Sequence, residues 1–221
     1  MKDPIAFKAS SDPDTLYLHQ ALKQKDRNKF IEAMVKEVHD HESRYHWRVI
    51  KRTMIPDGHK VLPAVWAMRR KCCIQTKEVY KWKARLNIHG GKQEHGVNYW
   101  ETYSPVVNWA AIRLCMILSI INNWISVQID FVLAFPQAPI ECKMYMEVPH
   151  GFEVEGAAPG EYVLLLLKNL YGQKQAGQVR FEHLRDGLND IGFRQSKLNK
   201  CVFIKQCLIW QRLDCSSSNV T

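Results

Sequence analysis

The sequence predicts an α+β protein. Three features predict it: a pair of strand-like runs between Val61 and Ile88 in which bases alternate with apolar residues, three stretches with apolar residues at helical spacing, and short apolar runs punctuated by Gly and Pro. With 221 residues, 46% hydrophobic and 24% charged, the chain is long enough for one or two domains and too apolar for whole-chain disorder.

The elements follow in order. Residues 1–27 form a lead-in with Pro4 and Pro13 and one short helical stretch, Thr15 to Lys25. Lys29 to Arg44 sets Phe30, Met34, Val38 and His41 on one face of an amphipathic helix. Trp47 to Ile50 is a short strand, and Ile55-Pro56-Asp57-Gly58 is a turn. Val61 to Arg70 and Val79 to Ile88 form a hairpin that turns around Gln75 to Glu78 and ends at Gly90-Gly91. Residues 92–108 are irregular. Ala110 to Asn122 is apolar enough for a buried helix, and Ser126 to Ile129 is a strand that delivers Asp130. Met144 to Val148 alternates as a half-buried strand does, Pro149 to Gly160 is a loop, and Tyr162 to Leu167 is a strongly apolar strand. Phe181, Leu184, Leu188 and Ile191 mark a helix over Gln178 to Ile191, with Gly192 just past its end. Val202 to Ile204 is a last strand before a polar tail from residue 206.

The net charge of +9 is unevenly spread. Arg69, Arg70, Lys71, Lys77, Lys81, Lys83, Arg85 and Lys92 fall in one stretch against a single acid, Glu78, with Tyr80 and Trp82 interleaved. Cations hold phosphates and aromatic faces stack on bases, so this stretch suits a nucleic acid or nucleotide. A solvated basic hairpin is the plainer alternative. The seven cysteines contain no CxxC pair, which argues against a disulfide framework or a zinc site and for a reduced, intracellular protein. Uninterrupted apolar runs such as Leu114 to Leu118 and Tyr162 to Leu167 are far too short to cross a bilayer.

Asp130 ends the alternation Val127-Gln128-Ile129. A carboxylate at a buried strand end is costly unless paired or metal-bound. Phe135 follows at five residues, Leu170-Tyr171-Gly172-Gln173-Lys174-Gln175-Ala176-Gly177 is a turn ahead of a helix, and Lys83-Ala84-Arg85-Leu86 precedes in the hairpin.

Taken together, these segments resemble the reverse transcriptase domain of Ty1/copia-type retrotransposon polyproteins. The resemblance rests on Lys83-Ala84-Arg85-Leu86 with Gly90-Gly91-Lys92-Gln93, Gly96 to Val107, Ile112-Arg113, Gln128 to Phe135, Tyr145 to Phe152, and Leu170 to Ala176, in order and at matching spacing. It implies a right-hand polymerase, fingers plus partial palm, over residues 28–205. It further implies an RNA/DNA template–primer and deoxynucleoside triphosphates as partners, two-metal phosphoryl transfer with Mg²⁺ held by carboxylates, and an intracellular location in cytoplasm, nucleus or virus-like particle. Residue by residue, it implies Asp130 as the first metal-binding carboxylate, Arg85 on the triphosphate, either Arg70 or Lys71 near the fingers lysine, Phe135 against the sugar 2′ position, and Gln175 beneath the sugar. Lys81, Lys83 and Lys92 fall to the nucleic-acid surface.

The chain departs from the family pattern after Phe203. The hairpin ending in Tyr-x-Asp-Asp is expected about a dozen residues beyond Val202, but no adjacent Asp pair occurs anywhere, and Asp214 stands alone in the tail. Arg180 stands where the family has Trp. The second catalytic hairpin and the thumb are missing from the pattern. The expectation is a truncated or frameshifted element, with residues 206–221 an aberrant tail, inactive alone. A non-catalytic nucleic-acid-binding remnant is the alternative, and a chain that does not fold stably is a third.

Overall fold

The computed structural model describes residues 14–131 and 133–205, and the tail with Asp214 lies outside them. These residues form a mixed α+β structure in two compact units. Unit 1 comprises the chain up to Thr102 together with Leu133–Gly177, and unit 2 comprises Tyr103–Val132 with the chain from Gln178 onward.

In unit 1, strand β1 (Thr15–Tyr17) and the single-turn helix α1 (Leu18–Ala21) take the place of the helix expected over Thr15 to Lys25. The reason is an available sheet edge. Thr15, Leu16 and Tyr17 pair antiparallel with Arg69, Met68 and Ala67, and the Arg70 amide donates to Asp14 O at 2.9 Å. Helix α2 (Arg27–Glu42) buries Phe30, Met34, Val38 and His41, the face that the spacing predicted. It ends in a turn at Tyr45, whose φ of 54° is left-handed, and the His46 amide donates to His41 O at 3.1 Å. That turn sets the two buried imidazoles side by side, Nδ1 to Nδ1 at 2.7 Å, with His41 stacked on Trp47.

The expected hairpin arm Val61 to Arg70 is two strands. Pro63 has no amide proton and breaks the ladder. β3 (Val61–Leu62) therefore pairs parallel with β6 (Tyr145–Glu147), whereas β4 (Ala64–Cys72) pairs antiparallel with β5 (Val79–Ile88). One sheet has the order β1-β4-β5. The other runs β2-β7-β6-β3, with β2 (Trp47–Lys51) and β7 (Tyr162–Leu166) antiparallel. Because β6 is interior, Met144, Tyr145 and Met146 are all buried, and the half-buried alternation expected there is not observed. A single apolar cluster includes Phe30, Met34, Trp66, Met68 and Leu86 together with Leu62, Met146, Leu164 and Leu170.

Strand alternation turns Arg70 toward α2. Its Nε and Nη2 donate to the two oxygens of Asp26 at 2.7 and 2.8 Å, and Trp82 Nε1 donates to the same carboxylate at 2.5 Å. These donors hold the Asp26 carboxyl down at about 2, the Arg70 hydrogen bond being the largest cause. Replacing the anion while keeping the shape, Asp26→Asn, is expected to lower unfolding free energy by about 2 kcal/mol, because three hydrogen bonds lose their ionised acceptor. Urea unfolding at neutral pH measures it, and an unchanged midpoint would count against the pair as a tie between β4 and the start of α2.

Unit 2 holds α3 (Trp109–Ile121), most of α4 (Ala176–Asp190), and the two-stranded sheet of β8 (Arg194–Gln195) with β9 (Phe203–Ile204). Asn108 caps α3 through its side-chain oxygen, which accepts from the Ala111 amide at 2.7 Å. α4 ends as expected at Gly192, φ 88°, with the amides of Gly192 and Phe193 donating to Asn189 O and Leu188 O.

Two expectations are corrected in this unit. The helix at Ala110 to Asn122 forms, but none of its residues is buried; Leu114, Ile117, Ile120 and Ile121 are all more than half exposed. A helix apolar all round needs cover on every face, and the only described sheet in this unit is two residues long. The strand expected at Ser126 to Ile129 does not form. Residues 124–131 have no ladder partner among the described residues, and Asp130 is exposed rather than buried at a strand end.

Candidate nucleotide and nucleic-acid interface

The register of β4 and β5 decides which cations share a face. Arg69 lies opposite Lys83, Lys71 opposite Lys81, and Ala67 opposite Arg85. Successive residues alternate between faces, so Arg69, Lys71, Lys81, Lys83 and Arg85 stand on the side turned away from Met68, Ala84 and Leu86. Like charges placed directly opposite one another in a sheet repel. The Lys83 ammonium has its pKa lowered first by burial, then by the charges of Arg85 and Lys71, with Glu37 opposing and Lys81 adding to the effect. Lys92, in the 3₁₀ turn Gly90–Lys92 just beyond β5, is also exposed.

The two strand-neighbour candidates near the fingers lysine separate here. Lys71 is exposed on the cationic face, whereas Arg70 is committed to Asp26 on the other.

Arg85 and Phe135 are brought together by a residue whose type and position in the chain suggested no role. The Arg85 guanidinium carbon lies 4.3 Å from the centroid of the Tyr171 ring, and the Phe135 ring meets Tyr171 at 5.2 Å and 81°. All three side chains are half-buried, so the group keeps an open side. Tyr171 is fixed through its main chain, since its carbonyl accepts from the Ile88 amide at 2.9 Å. Next to it, Gly172 (φ 89°) presses against β5: a Cβ there would meet Ile88 O at 2.3 Å, and a Cβ on Gly90 would meet Gly172 O at 2.0 Å. The glycines of these two segments therefore allow two backbones to touch.

Gln175, expected beneath the nucleotide sugar, is 3% exposed. Its Oε1 accepts from Gln93 Nε2 at 3.0 Å and its own Nε2 donates to Asn98 O at 3.2 Å. Gln93 Oε1 in turn accepts from the Lys174 amide at 2.8 Å, and Lys174 Nζ donates to Tyr99 Oη at 3.1 Å. Gln175 thus ties the 93–99 loop to the 170–175 turn, and both ends of its amide are used. The only sequence signal for this network was the clustering of Gln and Asn in segments that carried the resemblance.

Asp130 belongs to unit 2, where its neighbour Phe131 lies under the Arg180 guanidinium at 4.6 Å. Burial lowers the Arg180 pKa. A flat cation stacked on a ring occupies the position where the resemblance expects an aromatic. Among the described residues no group of three or more His, Cys, Asp or Glu is placed to hold a metal ion. Mg²⁺ demands near-octahedral oxygen ligation, so Asp130 as a single exposed carboxylate does not fit the ion.

The described surface thus has a basic two-stranded face with an arginine–aromatic group at its end, on an α+β core. The reverse transcriptase (RNA-dependent DNA polymerase) family model matches residues 45–209, and the chain belongs to that family, in its Ty1/copia branch. Among curated relatives, it is 28% identical over 89% of its length to the retrovirus-related Pol polyprotein from transposon TNT 1-94 of Nicotiana tabacum, covering 14% of that protein. It is 30% identical over 91% of its length to the Pol polyprotein from transposon RE1 of Arabidopsis thaliana, covering 13% of it. The transposon Ty1-NL1 Gag-Pol polyprotein of Saccharomyces cerevisiae is 24% identical over 85% of the chain, which covers 11% of it. The chain therefore spans only a small fraction of the curated relatives it matches. No solved structure matches it. No helix among the described residues is long and apolar enough to cross a membrane.

Proposed function

We propose that this chain is the fingers and part of the palm of a right-hand polymerase, residues 28–205. In this reading it holds template–primer phosphates and the triphosphate of an incoming deoxynucleotide but does not join them by itself. The observation that carries the reading is the single face on which the β4–β5 register gathers Lys71, Lys81, Lys83 and Arg85, with Arg69 beside them. Lys81 and Lys83, with Lys92 beyond them, contact the nucleic-acid backbone. Arg85 and Lys71 receive the triphosphate, with Phe135 against the sugar. Asp130 stands where the family places its first metal-binding carboxylate, and as a lone exposed carboxylate it takes no step in this reading.

Two measurements on the purified chain test this. The affinity for an RNA–DNA hybrid should fall steeply with salt, and changing both Lys81 and Lys83 to Ala should flatten the log–log slope by roughly 0.9 for each phosphate that is no longer neutralised. A slope unaltered by the double change would remove the hairpin from the interface. Primer extension with Mg²⁺ or Mn²⁺ should stay at background, and robust incorporation would overturn the non-catalytic part of the reading.

A further inference from the structure

We propose that Tyr171 is the positioning residue of this site, one ring that orients both Arg85 and Phe135. The inference rests on the reading of Arg85 as a triphosphate contact and Phe135 as a sugar contact.

Arg85 and Arg70 lie on the same hairpin but in opposite circumstances. Arg70 is forked onto Asp26. Arg85 has no ion-pair partner among the described residues, and its guanidinium lies over the face of Tyr171 at 4.3 Å. Stacking leaves the donors around the rim of the guanidinium uncommitted while removing much of its rotational freedom. A planar fork held in that way presents paired N–H groups to a phosphate with little ordering left to do on binding.

The same ring meets Phe135 in a T-shaped contact at 5.2 Å, a geometry that aromatic pairs favour. Phe135 sits in a 3₁₀ turn, Phe135–Gln137, so a ring contact is well suited to fix where its side chain points. Tyr171 can serve as the common reference because its backbone is tied to β5, the strand that carries Arg85, through the Ile88 amide. Phosphate affinity and selection at the sugar 2′ position therefore depend on one side chain, although it touches neither group of the nucleotide.

Isothermal titration of the full chain with dATP, ATP and tripolyphosphate tests this, because dATP and ATP differ only at the 2′ position and tripolyphosphate reports the phosphate contact alone. Arg85→Ala should weaken all three by about tenfold, the scale of one charge-assisted contact. Tyr171→Ala should weaken all three by about fivefold, the scale of a cation–π contact, and should also bring the dATP-to-ATP preference toward one. Tyr171→Phe keeps the ring and should restore both. If Tyr171→Ala does not melt cooperatively, Tyr171→Leu keeps apolar volume without a ring face and should reproduce both losses. A merely structural role for Tyr171 would leave the dATP-to-ATP ratio unchanged. If Arg85→Ala weakens binding while Tyr171→Ala and Tyr171→Leu retain affinity and ratio, the inference is overturned and the site reading stands. If the unaltered chain binds none of the three ligands, or Arg85→Ala changes nothing, the site reading fails and the inference falls with it.

Discussion

Gly172→Ala is expected to destabilise the protein by roughly 3 kcal/mol, the upper range of single substitutions, through two separable effects. An alanine at φ 89° is strained whatever the space around it, at a cost of about 1 kcal/mol. Its Cβ would also lie 2.3 Å from Ile88 O, a backbone atom of β5 that cannot swing aside as a side chain would. Either the 170–175 turn lifts off the strand or β5 bends away from β4. Gly58→Ala isolates the first effect, because Gly58 has φ 82° and nothing within 4 Å of a Cβ placed there. Urea unfolding of the two variants side by side should give a loss of about 1 kcal/mol for Gly58→Ala and a much larger one for Gly172→Ala. Equal losses would mean that the close approach between turn and strand is not a constraint. Because Tyr171 adjoins Gly172, the same variant should also weaken the triphosphate binding proposed for Arg85.

The second large effect is an acid-sensitive core. His46 is 4% exposed with its Nδ1 against that of His41, and its pKa is lowered from 6.5 to about 4, first by burial. The titratable and charged groups around it are His41 and Glu37 on α2, Arg44 in the following turn and Lys168 after β7; of these only Glu37 favours the protonated form of His46. A histidine whose folded pKa lies below its unfolded value stays neutral in the native state, so the unfolded chain takes up more protons. Stability is therefore intact above pH 6.5 and is lost as the pH falls toward 4, by about 3 kcal/mol in all. Asp26 adds a lower window in the same direction, between 3.8 and about 2, as its carboxylate becomes protonated. Urea midpoints at pH 7, 5.5 and 4.5 should fall for the unaltered chain and fall less for His46→Asn, which cannot take up that proton. Parallel pH profiles for the two would show that His46 is not the group responsible.

Much of the local structure was legible in the residues themselves. The face Phe30, Met34, Val38 and His41 follows from a repeat near 3.6, and the end of α4 at Gly192 follows from glycine's tolerance of positive φ. The candidate site was half legible. Alternation along β5 separates Lys81, Lys83 and Arg85 from Trp82, Ala84 and Leu86, and the run Leu170 to Ala176 was marked by its resemblance. Cross-strand register was not legible, and register is what sets Lys71 against Lys81 and Arg69 against Lys83. Nor did any local pattern indicate that Arg70 faces Asp26 while Lys71 faces outward, because that depends on which side of the sheet α2 covers.

By itself, the sequence determined the family, the helical and strand periodicities, the concentration of cations between Arg69 and Lys92, and the lack of any Asp-Asp pair, since each of these is written in neighbouring residues. Only the tertiary structure decided that Met144, Tyr145 and Met146 are all buried, that α3 lies uncovered and Asp130 exposed, and that Arg85, Tyr171 and Phe135 meet. The physical reason is that burial and contact belong to pairs of elements. A strand is buried on both faces only if other strands flank it and layers cover it, and an arginine finds its ring only when a distant turn docks on its own strand.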